Sequence, residues 1–352
     1  MSYLDNIRKV VPYTPGEQPK VEGEIIKLNT NEFPYPPSPN VEKALEELEL
    51  DTLRLYPNVT AAPLAKAIAK YYGFEEDEVF VGVGSDDVLA NSFLTFFASD
   101  VPILFPDITY SFYDVWADIY RIPYTRVPLK ADFTVDVNDY KVKNGGIVIA
   151  NPNAPTGIAL PLDQIEEIVK SNPDVIVIVD EAYVDFGGTS AMPLVRKYEN
   201  LLVVQTFSKS RAAAGMRIGF AVGNKTLIKY LNDVKFSINS YTMNHMAIAA
   251  GVAAIEDDKY FKETVTRVIN TKKWANDEFV KLGFNVLPSS TNFVFVSHKD
   301  KSAKEIFEYL KTKNIFVRYF NKDRIDNFLR ITIGTDDQMK KLIDVLNDYL
   351  KD

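Results

Sequence analysis

Lys209 is the residue of this sequence whose surroundings best suit covalent chemistry. It follows the apolar run LLVVQTF, lies between Ser208 and Ser210, and shares the segment TFSKSRAAAGMRIG with Arg217. A lysine condenses with an aldehyde only as the free amine, which requires a cationic and partly desolvated neighbourhood. The segment therefore predicts a Schiff-base lysine beside a phosphate-binding pocket. A solvated loop lysine is the alternative that this segment alone leaves open.

A carboxylate ends another very apolar run, in the segment VIVIVDEAYVDF. Burying Asp180 there would be costly unless a cation paired with it. A protonated pyridine nitrogen would supply that cation and make its ring an electron sink, and Tyr183 could then reach a phenolate oxygen of the same ring. A turn-capping aspartate and a packing tyrosine are the alternatives.

Two loops could bind a ligand through amide groups. In GVGSDD, Gly84 permits a tight turn, Ser85 can cap the helix that follows, and the backbone amides of Ser85 and Asp86 offer an anion site. In NPNAPTG, two prolines and a glycine fix a loop that carries asparagine amides for a ligand oxygen. Each motif alone could be an ordinary helix start or turn.

Three further side chains could hold a planar or anionic ligand. Tyr110 in DITYSFY could stack on a flat ring, although the chain has 19 tyrosines and packing is the alternative. Arg318 in IFVRYF and Arg330 in FLRITIG lie in apolar β-type runs, where an arginine usually forks onto a carboxylate or a phosphate. That anion could also belong to an internal salt bridge.

These residues follow an alternation of apolar runs and amphipathic segments that begins near residue 75. It predicts an α/β domain with a mostly parallel sheet flanked by helices, whose ligand crevice lies beyond the carboxyl ends of the strands. The predicted strands are 79–84, 101–105, 146–151, 175–183, 201–207 and 217–223. The predicted helices are 85–98, 161–170 and 225–234.

After about residue 240 the pattern changes to long helices followed by a compact mixture of strands and helices, which predicts a smaller α+β domain. We expect an N-terminal arm with a small-domain segment at 1–35, a large ligand-binding domain at 36–265 and a C-terminal small domain at 266–352.

Composition excludes several classes of function. The 352 residues include no cysteine and two histidines, so disulfides and thiol nucleophiles are excluded and no metal site is expected. The net charge of −8 argues against a nucleic-acid surface. No apolar stretch of about 18 residues or secretory signal is present, so we expect a cytoplasmic protein without membrane spans that acts on small molecules.

Taken together, the motifs resemble those of the fold-type-I pyridoxal phosphate aminotransferases, and within them the histidinol-phosphate aminotransferase family. The resemblance covers essentially the whole chain and is carried by PYTPG, KLNTNEFPYPPSP, RLYPN, GVGSDD, NPNAPTG, DEAYVDF, TFSKSRAAAGMRIGF, SSTNFVFV and LRITIGT. It implies reversible transamination of L-histidinol phosphate with 2-oxoglutarate, giving imidazole-acetol phosphate and glutamate, as in histidine biosynthesis.

The resemblance also implies roles at the cofactor, pyridoxal 5′-phosphate. Lys209 would bond the cofactor aldehyde and shuttle the proton, Asp180 would pair with the pyridine nitrogen, and Tyr110 would stack on the ring. Tyr183 and an asparagine would bond the ring hydroxyl oxygen. Because Ala154 stands where many relatives have asparagine, we assign that contact to Asn153, with Asn151 as a substitute.

The remaining implied site residues surround the two anions. The cofactor phosphate and its pocket involve Gly84, Ser85, Asp86, Thr206, Ser208 and Arg217, with Tyr56 contributed by a second subunit of a homodimer. The anionic group of the substrate involves Tyr13, Asn31, Arg318 and Arg330.

Other readings stay open on this scaffold. An aromatic amino acid aminotransferase or a threonine-phosphate decarboxylase would use the same lysine and aspartate. A ligand-sensing regulator is disfavoured because no basic helix-turn-helix segment is present. A nucleotide-binding reading of GVGSDD fails on glycine spacing.

Overall fold

The structure is a computed structural model that describes residues 2–19 and 23–351. The strands are β1 Ile26–Lys27, β2 Val79–Gly82, β3 Ile103–Pro106, β4 Tyr124–Val127, β5 Ile147–Ala150, β6 Val177–Asp180, β7 Leu201–Thr206, β8 Gly219–Gly223, β9 Phe284–Val286, β10 Phe293–His298, β11 Ile315–Phe316, β12 Arg318–Tyr319 and β13 Leu329–Thr332.

The α-helices are α1 Pro39–Glu46, α2 Ala62–Tyr72, α3 Gly84–Phe96, α4 Phe112–Tyr120, α5 Leu162–Ser171, α6 Met192–Val195, α7 Lys225–Ile238, α8 His245–Glu256, α9 Asp258–Lys281, α10 Ala303–Thr312 and α11 Asp336–Lys351. Short 3₁₀ helices occupy Tyr3–Asn6, Leu50–Arg54, Glu76–Glu78, Val137–Tyr140, Val184–Phe186 and Ala214–Met216.

The larger sheet has the order β2-β8-β7-β6-β5-β3-β4. Strand β8 runs antiparallel to both of its neighbours, whereas the other paired strands are parallel. The predicted α/β fold with a mostly parallel sheet is therefore confirmed. The inner strands are buried on both faces, as their continuous apolar runs predict.

The edge strand β4 is absent from the sequence-based prediction. Its residues Thr125 and Arg126 are exposed, because only one side of the strand has a neighbour. An edge strand with polar side chains lacks the apolar run by which the inner strands are recognised. The strand nevertheless pairs along its whole length with β3, which leads into Tyr110.

Helices pack on both faces of the large sheet, and an apolar cluster fills each interface. Helix α3 begins at Gly84, so Ser85 lies in its first turn and does not cap it, contrary to our expectation. Instead, Asp87 Oδ2 accepts a hydrogen bond from the backbone amide of Val83 at 2.9 Å. The free amides of the first turn therefore stay directed at the carboxyl edge of the sheet.

The second sheet, of order β12-β13-β10-β9, is antiparallel and forms its own core with α9, α10 and α11. The short strand β1 pairs in parallel with β11, so the segment that follows the N-terminal arm joins this smaller unit. The predicted smaller α+β unit is thus present. The domain limits at residues 35 and 265 stay predictions.

The two units contact each other beyond the ends of β3 and β4. Arg324, in the smaller unit, binds Asp107 Oδ2 at 2.9 Å and the carbonyl oxygens of Leu129 and Lys130 at 2.8 Å. Phe295 packs beside it in an apolar cluster that draws side chains from both units. Among the described residues, no helix is both long and apolar enough to cross a bilayer.

Candidate active site

The carboxyl edge of the large sheet gathers the residues that the sequence places at strand ends. Gly84 follows β2, Tyr110 follows β3, Asp180 is the last residue of β6 and Lys209 follows β7. The strand register brings them to one level, since Thr206 pairs with Gly219, which in turn pairs with Gly82. These residues therefore lie along one edge of the sheet, where the sequence predicts the ligand crevice.

Asp180 is a buried carboxylate that has hydrogen-bond donors but no cation. Its Oδ2 accepts a bond from the Tyr113 hydroxyl at 2.7 Å, and its Oδ1 accepts one from the Ala182 amide at 3.2 Å. The side chain is 5% exposed, and burial raises the pKa of Asp180 to about 6. No lysine or arginine of the described residues pairs with it, which leaves the carboxylate available to a cationic ligand.

Tyr183 lies in the turn after β6, and its hydroxyl oxygen accepts a bond from Asn31 Nδ2 at 2.8 Å. Asn31 is itself fixed, because its backbone amide donates to Thr332 Oγ1 at 3.0 Å and its carbonyl accepts from Asn292 Nδ2 at 3.0 Å. Because this bond uses only an acceptor position, the O–H of Tyr183 remains available as a hydrogen-bond donor.

Lys209 is half-buried, and its Nζ lies 5.7 Å from the centre of the Tyr183 ring. The loop that carries it is anchored on both sides. The amide of Ser208 donates to Thr206 Oγ1 at 3.1 Å, and Ser210 Oγ donates to the buried carboxylate of Asp185. The amine is thus held next to Tyr183 and beyond the end of β7, where the sequence predicts it.

Arg217 and the first turn of α3 form a cradle of N–H donors that could bind an anion. Arg217 Nη2 lies 3.4 Å from Asp86 Oδ2, and a Cβ atom added to Gly84 would lie 2.6 Å from the same nitrogen. Gly84 has a φ of +82°. Glycine is therefore required there both for the backbone and for the space of the guanidinium. Ser208 Oγ lies on the same edge, 2.9 Å from Thr206 Oγ1.

Tyr110 is positioned by its own hydroxyl, which donates to Asp86 Oδ1 at 2.8 Å. Its ring meets Tyr113 edge to face, with centroids 5.7 Å apart. Burial and the adjacent Asp86 carboxylate raise the pKa of Tyr110 above its usual value. The ring is held at the cleft as a neutral, fixed surface suited to stacking.

Asn153 is fully engaged with protein atoms. Its Nδ2 donates to the Ile108 carbonyl at 2.9 Å and to Thr156 Oγ1 at 3.0 Å, and its Oδ1 accepts from Thr109 Oγ1 at 2.7 Å. No N–H remains for a ring oxygen, so this arrangement does not support the contact we predicted for Asn153. The side chain instead fixes the two residues that precede Tyr110.

Asn151, the substitute, is engaged as well. Its Nδ2 donates to the Leu160 carbonyl at 3.2 Å, and its Oδ1 accepts from the Leu160 amide at 2.7 Å. One N–H of the Asn151 amide therefore has no partner among the described residues, and Asn151 stays the substitute for Asn153.

Arg318 and Arg330 are cross-strand partners in β12 and β13. Among the described residues, Arg318 makes only long bonds, of 3.5 Å, to the carbonyls of Thr14 and Pro15. Arg330 Nη2 donates to the Asn29 carbonyl at 3.1 Å. The Nε of Arg330 is buried and has no partner among the described residues, and burial lowers the pKa of this arginine. Two neighbouring guanidinium groups without a carboxylate favour a ligand anion.

Tyr13, in the N-terminal arm, lies beside two aromatic side chains of the segment that carries Tyr110. Its ring stacks on Phe112 at 4.2 Å and lies 6.3 Å from Tyr110. Tyr56, by contrast, does not join this group in one chain. It is 80% exposed and stacks on Tyr241 at 4.5 Å.

Sequence reasoning missed Tyr113 and Phe112. Both occur in DITYSFYDVW together with Tyr110, and Tyr113 follows Tyr110 by three residues, so the density of aromatic residues was the available signal. The described residues contain no group of three or more His, Cys, Asp or Glu side chains that could bind a metal ion.

Comparison with known proteins gives consistent matches. Residues 23–346 match the family model of aminotransferase class I and II. A histidinol-phosphate aminotransferase of Brachyspira hyodysenteriae is 52% identical over 348 residues, which cover 99% of this chain and 98% of that protein. One from Lactococcus lactis subsp. cremoris is 51% identical over 351 residues, which cover 100% of this chain and 98% of that protein.

The crystal structure of histidinol-phosphate aminotransferase from Sinorhizobium meliloti in complex with pyridoxal-5′-phosphate has the same fold. It matches with a TM-score of 0.85 and 22% identity, covering 93% of this chain and 92% of that one.

Proposed function

The chain belongs to the class I and II aminotransferases, and from this we propose that it is a pyridoxal 5′-phosphate enzyme acting on L-histidinol phosphate. The reaction is the reversible transamination with 2-oxoglutarate that yields imidazole-acetol phosphate and glutamate. Two relatives with more than half of their residues identical, both histidinol-phosphate aminotransferases, support this choice of substrate. The proposed compartment is the cytoplasm.

The buried carboxylate of Asp180 is the observation that carries the choice of cofactor. It is nearly inaccessible, has two hydrogen-bond donors and lacks a cation among the described residues. A pyridine nitrogen that keeps its proton would complete this pair. When bound, the cofactor supplies an aldehyde and a ring that stabilises the electron pair left on deprotonation of the substrate.

The other side chains have roles that follow from their positions. Tyr183 would donate a hydrogen bond to the ring oxygen, and Tyr110 would stack on the ring. Arg217, Ser208 and the amides of the first turn of α3 bind the phosphate. Lys209 Nζ would bond the cofactor aldehyde, and its amine would accept the proton of the reacting substrate carbon and return it.

Arg318 and Arg330 give the substrate pocket its anion specificity. Their guanidinium groups are neighbours, and each has unused N–H donors that face no carboxylate of the described chain. A guanidinium binds either a carboxylate or a phosphate through paired N–H donors. One pocket can therefore accept glutamate and histidinol phosphate in turn. Tyr13 and Asn31 border the same pocket.

A second copy of the chain completes the proposed site. Tyr56 lies on an exposed apolar surface, together with Leu53, Leu55 and Tyr241. A surface of this kind on a single chain indicates an interface. We propose a homodimer in which Tyr56 reaches the cofactor phosphate of the other subunit.

A mixing experiment tests this arrangement. Each of the variants Lys209→Ala and Tyr56→Ala is expected to be weakly active or inactive alone. After unfolding and refolding together in equal amounts, hybrid dimers have one intact site, and about one quarter of the wild-type activity should return. Activity that does not return would exclude a shared site.

The substrate assignment is tested with a panel of compounds. The purified protein with pyridoxal 5′-phosphate should convert histidinol phosphate and 2-oxoglutarate to imidazole-acetol phosphate and glutamate. The kcat/KM for histidinol phosphate as the amino donor should exceed the kcat/KM for phenylalanine. Threonine phosphate should release no carbon dioxide. A preference for phenylalanine, or carbon dioxide release without a keto acid, would replace this proposal by the aromatic aminotransferase or the decarboxylase.

A further inference from the structure

Lys272, on α9, is buried outside the residues assigned above. It is 5% exposed, and its Nζ donates to three backbone carbonyls: Phe186 at 3.1 Å, Ser289 at 2.9 Å and Thr291 at 2.6 Å. Three acceptors match the three N–H bonds of an ammonium group. Burial lowers its pKa to about 8, so the group is still mostly protonated at pH 7.

No carboxylate of the described residues pairs with this ammonium group. An unpaired buried cation is disfavoured relative to an apolar residue of similar volume, so a stabilising role for the fold alone is a poor explanation for it. The ammonium group instead has a geometric effect, because it holds carbonyls from two separate segments around one point.

Both of those segments lead directly to Tyr183. Phe186 ends the 3₁₀ turn that follows Tyr183, and its amide donates to the Tyr183 carbonyl at 3.2 Å. Ser289 and Thr291 precede Asn292, which binds the Asn31 carbonyl, and Asn31 in turn binds the Tyr183 hydroxyl. Lys272 therefore closes a ring of contacts that passes through both ends of Tyr183.

The same loop also contacts the rigid NPNAPTG loop. The Ser290 amide donates to the Gly157 carbonyl at 2.9 Å, and a Cβ atom on Gly157 would lie 3.1 Å from Ser289 Oγ. The segment 289–292 is thus wedged between the turn of Tyr183 and the loop that supports Tyr110, and Lys272 holds it there.

We propose that Lys272 is a positioning residue, whose ammonium group ties the turn after Tyr183 to the loop 289–292 and so sets the Tyr183 hydroxyl against its ligand. The proposal relies on the function above for the identity of that ligand. A methionine side chain has a length and volume similar to those of lysine but no N–H donors for the three carbonyls. Lys272→Met should therefore release both segments together.

The test compares Lys272→Met with Lys235→Met. Lys235 is also a buried lysine bonded to backbone carbonyls, those of Val59 and Val81, but it touches neither segment. The first readout is amide hydrogen exchange in the cofactor-free protein. Lys272→Met should speed exchange in residues 184–188 and 289–293, whereas Lys235→Met should leave those residues protected as in the wild type.

The second readout is the dissociation constant of pyridoxal 5′-phosphate and the pH midpoint of its visible absorbance in the loaded protein. Losing one aligned hydrogen bond weakens binding by about two- to tenfold. If Lys272 acts through Tyr183, the variants Tyr183→Phe and Lys272→Met shift the midpoint in the same direction, and the double variant shifts it no further than Tyr183→Phe alone. Lys272→Arg, which keeps its donors, should restore part of the wild-type value.

Additive shifts in the double variant, or unchanged exchange and absorbance in Lys272→Met, would overturn the proposal. If Lys272→Met does not fold, Lys272→Leu, which also lacks donors, carries the same comparison. If the wild-type protein binds no cofactor, the proposed function fails by itself. In that case the exchange experiment still decides whether Lys272 holds the two segments.

Discussion

The hydrogen bond from Tyr113 to Asp180 gives the most quantitative prediction. Replacing Tyr113 by phenylalanine removes only the hydroxyl that lies 2.7 Å from Asp180 Oδ2. A hydrogen bond to a charged group is worth ~1.5–3 kcal/mol, and one pH unit corresponds to about 1.4 kcal/mol. The pKa of Asp180, already raised to about 6 by burial, should therefore rise by roughly one to two further pH units in the cofactor-free protein.

This rise determines how cofactor affinity depends on pH. At pH 7 the variant must first lose a proton from Asp180 before the carboxylate can face a pyridinium, which should weaken cofactor binding by about two- to tenfold. At pH 9 the carboxylate is ionised before binding in both proteins. The hydroxyl then stabilises the free and bound states alike, and the ratio of the two dissociation constants should approach one.

The assay is a titration of cofactor-free protein with pyridoxal 5′-phosphate at several pH values. Tyr140→Phe is the matched control, because Tyr140 is equally inaccessible and its hydroxyl has no partner among the described residues. This variant should bind the cofactor as the wild type does at every pH. A ratio for Tyr113→Phe that does not change with pH, or an equal loss in Tyr140→Phe, would refute the reasoning.

Three further predictions concern the carboxylate, the phosphate cradle and the substrate arginines. Asp180→Asn should raise the unfolding temperature of the cofactor-free protein at pH 8 and raise it less at pH 5, because the raised pKa means that the folded state binds a proton as the pH falls through about 6. Equal gains at both pH values in a thermal scan would contradict this. Gly84→Ala should weaken cofactor binding, since its Cβ atom would displace Arg217. Gly73 also has a positive φ, of +76°, but a Cβ atom added there would have nothing within 4 Å. Gly73→Ala should therefore lower the stability of the protein by ~1 kcal/mol and leave the affinity for the cofactor unchanged. Titration of the two glycine variants with pyridoxal 5′-phosphate checks this prediction. Equal affinities of the two variants would count against the phosphate cradle at Arg217. Arg330→Lys should raise KM by about tenfold for both histidinol phosphate and 2-oxoglutarate in steady-state assays, because a lysine loses the paired donors, and a change for one substrate alone would contradict a shared anion pocket.

The sequence predicts most of the fold, for an identifiable physical reason. The inner strands are covered on both faces, so their residues form continuous apolar runs, and β6 and β7 are recognised with their terminal Asp180 and nearby Lys209. Strand β4 is missed because one of its edges faces solvent and it carries Thr125 and Arg126. An apolar run in the sequence reflects the burial of its side chains, and the side chains of this edge strand are only partly buried.

Side chains whose partners are distant in sequence were harder to assign. Whether Asn153 faces a ligand depends on Ile108 and Thr109, which only the fold brings to it. Lys272 occurs in a helix rich in charged residues, and nothing in that helix shows that three carbonyls from two other segments surround it. Residues at strand ends are predictable because the sheet alone positions them, whereas residues that act through other loops require the structure.

The central claim is that one lysine amine bonds the cofactor. The most direct measurement is borohydride reduction of the protein loaded with pyridoxal 5′-phosphate, followed by proteolysis and mass mapping of the labelled peptide. We expect a single labelled residue, Lys209, and no label in Lys209→Ala. A label on another lysine in the wild type, or an undiminished label in the variant, would contradict it.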